Sequence, residues 1–115
     1  MSLVSKQDML RISGNGSSDG QVASDFALGA LQAAKSRATE IEKVANLEVI
    51  LDRESLRMIQ SNLAGIRHIA MVVNELANLH ANGQLGQAMK KLDSQVANLL
   101  AQAEQQVAAL SALFP

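Results

Sequence analysis

The only proline in the sequence is Pro115. Proline removes a helical hydrogen bond and clashes with the preceding turn, so nothing in the body of this chain sterically forbids a helix. The apolar residues point the same way. They make up 48% of the chain, yet aromatics are only 2%, Phe26 and Phe114. The rest is Ala, Leu, Val, Ile and Met, set among Gln, Lys, Arg and Glu, a mixture dominated by strong helix formers. Strand proteins carry more aromatic and β-branched residues. The expected fold class is all-α, and 115 residues suit a single domain.

Periodicity divides the chain. Residues 1–20 read as a short N-terminal helix over 3–12 followed by a Gly/Ser linker, and residues 21–115 as a helical bundle domain. Ser5 and Asp8 resemble a capping box, and Val4, Met9, Leu10 and Ile12 give the segment apolar side chains. From Gln21 onward, Ala27, Leu31, Ala34, Ala38, Ile41 and Ala45 alternate steps of four and three. This is a seam of small residues that lets a neighbouring helix approach closely. Extended further, the seam meets Glu48, Asp52 and Ser55, while a second apolar line through Val44, Leu47 and Leu51 drifts away from it. A new stripe then begins with Ile59, Leu63, Ile66, Ala70, Val73 and Ala77, widened by Ile69 and Leu76. Arg53, Arg57, Gln60, Arg67, His68 and Glu75 lie opposite it.

His80-Ala81-Asn82-Gly83-Gln84-Leu85-Gly86 is the clearest break, and Asn82-Gly83 suits the left-handed cap that ends a helix. The last helix has the cleanest seam: Leu85, Met89, Leu92, Val96, Leu99, Ala103, Gln106, Leu110 and Leu113. Leu100, Val107 and Phe114 add a flank, so the face is wider than a two-stranded seam and asks for a second neighbour.

Two architectures satisfy this pattern. A turn near residue 52, with Asp52 as the cap, gives a three-helix bundle. A continuous helix over 21–81 gives a long antiparallel hairpin roughly 90 Å in length, whose far half must be completed by another copy. The matched helix lengths and the phase jump favour the first. The lack of Gly or Pro between 47 and 55 favours the second, and the balance leans to the long helix. Both carry coiled-coil-like packing and both point to a homo-oligomer. The expected interaction face is Leu85, Met89, Leu92, Val96, Leu99, Leu100, Ala103, Val107, Leu110 and Phe114, with a partner protein helix as a further possible occupant.

Recognisable chemistry is sparse. Glu48 and Asp52, one turn apart in a continuous helix, are the candidate paired-carboxylate or metal site of a bundle enzyme. A helix cap or a solvated seam accounts for them more simply. Neither His68 nor His80 stands three residues after a Glu, as a di-iron bundle requires. His80 reads as a helix-end residue, favourable near the negative end of the dipole. Gln106 reads as a register-setting polar residue. Met9, Met58, Met71 and Met89 read as core or interface filler. Gly14-Asn15-Gly16 lacks the preceding strand and the lysine of a phosphate loop.

The absence of cysteine removes disulfides and thiolate chemistry. A net charge of −1 gives no long-range pull on nucleic acid. No apolar stretch approaches the ~20 residues of a membrane span, and the start lacks signal-peptide order, so a cytoplasmic protein or one exported without a cleaved signal is expected. A lipid-surface helix calls for a basic polar face, and the last helix offers only Lys90 and Lys91. The leading expectation is therefore a non-enzymatic, cofactor-free structural or protein-interaction protein that self-associates. The Ala-, Gln- and Ser-rich composition suits a small bacterial or phage accessory, secretion or assembly component.

Overall fold

The computed structural model describes residues 19–114. The expected helix over 3–12 and the linker up to Ser18 lie outside the described residues. Three helices make up the rest: α1 (Asp19–Ala45), α2 (Arg53–Leu79) and α3 (Gly83–Ser111). Each packs against the other two, in an up-down-up bundle 51 Å long and 23 × 21 Å across. The fold is thus the all-α bundle, and the continuous helix over 21–81 is not formed.

The chain turns at residues 46–52 without glycine or proline because two capping devices act back to back. Glu48 N–H donates to Lys43 C=O at 2.9 Å and Leu47 N–H to Val44 C=O at 3.1 Å. These are the two bonds of a Schellman motif, which places Leu47 where glycine is usual. Leu47 accordingly has φ 61°, the only positive φ at a described non-glycine residue. Asp52 then starts α2 from an extended backbone. Its Oδ1 accepts from Ser55 N–H at 2.8 Å, while its own N–H donates to Ser55 Oγ at 2.9 Å. This closed capping box satisfies two N-terminal donors and explains why Ser55, on the expected seam, is buried although polar.

The second turn falls where the sequence breaks, with a different division of labour. His80 ends α2, its N–H donating to Leu76 C=O, and Asn82 is the extended residue before α3. Gly83 has the left-handed φ of 66°, but it opens α3 rather than closing α2. Gly86 is required for packing: a Cβ there would collide with the Ala81 carbonyl, which lies over the first turn of α3.

The core is two clusters stacked along the bundle axis. Near the α2–α3 turn, Ala23, Ala27, Ala30, Leu31 and Ala34 meet Ile69, Val73, Leu76, Ala77, Met89, Leu92 and Val96. Near the α1–α2 turn, Ile41 and Val44 meet Ile59, Leu63, Ile66, Ala103, Val107 and Leu110. Fully burying a large aliphatic side chain contributes roughly 1.5–3 kcal/mol. Arg37 lies over Gly65 on α2 and reaches Asn62 Oδ1 at 3.5 Å. The charges expected opposite the α2 stripe are all exposed, and the Arg67–Glu104 pair at 3.2 Å joins α2 to α3 across the surface.

Candidate interaction surface

Most of the α3 face read as an intermolecular surface is the bundle's own core. Met89, Leu92, Val96, Ala103, Val107 and Leu110 are buried. Leu85 and Leu99 pack half-buried against the first cluster and Leu100 against the second. Phe114 is half-buried. The second neighbour that this wide face requires is α1 of the same chain.

The other singled-out residues divide. Glu48 and Asp52 sit in the connection between helices, so they are not one helical turn apart; Glu48 is exposed and Asp52 is occupied as a cap. The backbone hydrogen bond from Ser55, helped by the Ser55 hydroxyl, holds the Asp52 carboxyl below its ordinary value of 3.8 against the opposing effect of desolvation. That is the signature of a cap carboxylate. Among the described residues no group of three or more His, Asp or Glu is placed to hold a metal ion. His68 is exposed. His80 is half-buried with its Nε2 enclosed and without a protein partner. Gln106 lines a shallow cleft of about 230 Å³ between α1 and α3, together with Lys35, Thr39 and Glu42. Met89 is core, whereas Met58 and Met71 reach the surface. Among the described residues no helix is long and apolar enough to cross a membrane.

The surface feature that stands out is one end of the bundle. Ile50 is 81% exposed and Leu47 76%; Val49 beside them in sequence and Met58 in the second turn of α2 are exposed too. Leu113, 65% exposed, follows Leu110 of the cluster nearest this turn and so lies at the same end. Val49, Ile50 and Met58 line a recess of about 430 Å³ with Asp52, Glu54 and Ser55. Its charged lining is two carboxylates and no cation; Arg53 and Arg57 lie on the same helix outside it.

Two unfavourable features coincide here. A left-handed conformation costs a bulky residue roughly 1–2 kcal/mol, and Leu47 recovers little of it by burial. A cluster of exposed aliphatic side chains around a recess is also unusual for a surface with no partner. In the sequence Leu47 stands out only as part of a drifting apolar line, and Val49 and Ile50 do not stand out at all. The available signal was the run Val49-Ile50-Leu51, which breaks helical periodicity beside a cap residue.

No protein-family model, no curated protein and no solved structure matches this chain.

Proposed function

We propose that this protein is a non-enzymatic helical interaction module that self-associates, and that the contact is made at the α1–α2 end. The observation that carries this reading is the grouping of Val49, Ile50 and Met58, exposed around one recess, beside a turn whose own exposed Leu47 is held in an unfavourable backbone conformation. Strained backbone persists where the surrounding structure or a function maintains it. Since the α3 seam is spent on the intramolecular core, association must use surface that the bundle leaves open. The composition keeps a bacterial or phage assembly component as the leading biological setting.

Light scattering across a concentration series tests this. The native chain gains mass with concentration, Ile50→Asp abolishes the gain, and Val22→Asp, exposed at the opposite end, leaves it intact. A native chain that stays monomeric throughout the series refutes the proposal, as does an Ile50→Asp chain that still associates.

A further inference from the structure

Building on the proposed self-association at this end, we infer that the recess formed by Val49, Ile50, Asp52, Glu54 and Met58 receives the segment Met9-Leu10-Arg11-Ile12 of a second copy.

Flat end-to-end apposition of two bundles is too small to hold them. An end measuring 23 × 21 Å offers about 400 Å², about half the ~800 Å² per partner of a standard stable interface. An inserted segment makes better use of a recess, because its side chains enter the volume instead of resting on the rim. The lining defines what fits: aliphatic side chains for Val49, Ile50 and Met58, and a cation beside Asp52 and Glu54. Before α1 the sequence supplies this chemistry. Residues 3–12 hold Leu3, Val4, Met9, Leu10 and Ile12 together with Lys6 and Arg11, against a single acid, Asp8. Arg11 stands between Leu10 and Ile12, so one short insertion brings both apolar and cationic groups to the recess.

Geometry makes the exchange intermolecular. Asp19 begins α1 at the opposite end of the bundle, and the 27 residues of α1 separate it from the α1–α2 turn by about 40 Å. A fully extended chain covers at most ~3.5 Å per residue, which takes Leu10 about 30 Å from Asp19 and Ile12 about 25 Å. Met9, the segment's first residue, extends only to about 35 Å, so none of the four reaches Val49 and Ile50 at the tip of its own chain's recess. Each copy therefore gives a segment at one end and receives one at the other. Such a head-to-tail contact closes into a ring or continues as a filament.

Complementation tests this with full-length chains. Leu10→Asp disables the donated segment and keeps the recess; Ile50→Asp disables the recess and keeps the segment. Residue 50 is 81% exposed, and matching circular-dichroism melts establish that both variants fold. In sedimentation velocity the native chain should associate, as a closed ring of two or more copies or as a filament, each variant alone should be monomeric, and their mixture should form a one-to-one heterodimer that grows no further. If Ile50→Asp is monomeric while Leu10→Asp assembles like the native chain, the end associates through something else: the segment exchange is overturned and self-association at this end stands. If both variants are monomeric and the mixture stays monomeric, the head-to-tail exchange is overturned. If Ile50→Asp still assembles, or the native chain is monomeric throughout, both readings fall.

Discussion

Leu47 allows the α1–α2 turn to be tested by the sign of one energy difference. Leu47→Ala and Leu47→Gly both remove an exposed side chain, so the comparison between them isolates the backbone. In the Schellman turn residue 47 has φ 61°. Alanine keeps a Cβ against the following carbonyl, a penalty of roughly 1–2 kcal/mol that glycine lacks. Glycine gives back roughly 0.5–1 kcal/mol through its greater freedom in the unfolded chain. The Leu47→Gly protein should be the more stable of the two by about 0.5–1 kcal/mol, or roughly 2–5 °C in Tm. In an uninterrupted helix the order reverses, since glycine is then worse than alanine by about 0.8–1 kcal/mol. Urea titration of the two variants at one low protein concentration reads the difference from the midpoints, provided the m-values agree. If the Leu47→Ala protein proved the more stable, the left-handed turn would be refuted, and with it the three-helix topology.

Other outcomes follow from the packing and the caps. Gly86→Ala should destabilise the fold by about 1–3 kcal/mol through the collision with the Ala81 carbonyl, measured by thermal melting. Gly65→Ala should stabilise it by up to ~1 kcal/mol in the same assay, because the nearest atoms its Cβ meets are the movable end of Arg37 while the helix gains a better former. Ile66→Ala, at a fully buried site in the second cluster, should cost about 2–5 kcal/mol in urea unfolding. Asp52 has a lowered folded pKa, so its cap should stabilise fully above the unfolded value of 3.8 and lose that effect as pH falls through the folded value. Asp52→Ala should therefore lower Tm near neutral pH and converge towards the native protein at strongly acid pH.

The α2 and α3 seams were readable because each helix buries one continuous stripe against two neighbours, which writes a helical period into Ile59 through Ala77 and Leu85 through Leu110. The alanine seam of α1 was readable for the same reason. The turn between α1 and α2 was only half readable. Asp52 announces a cap through its residue type, but Leu47 adopts a backbone region that its residue type disfavours, so the missing glycine pointed to a continuous helix. The width of the α3 face was legible, whereas the identity of its second neighbour depended on that turn. The exposed end was not legible from pattern. Val49 and Ile50 look like core residues in a sequence, and only the position of the turn relative to the three helices leaves them outside.

The make-up of the first core cluster also sets the order in which the bundle comes apart. There α1 contributes mainly Ala23, Ala27, Ala30 and Ala34, while α2 and α3 contribute Ile69, Val73, Leu76, Met89, Leu92 and Val96. Alanine has little apolar area of its own, so detaching the N-terminal half of α1, which adds only Leu31 and the half-buried Phe26 as large side chains, should cost less than separating α2 from α3, where large side chains stand on both sides. Amide exchange should be fastest in α1 before Leu31 and slowest where α2 and α3 face each other. On that expectation the α2–α3 hairpin should behave as the resistant foldon, with the first half of α1 a cover that lifts while the hairpin holds.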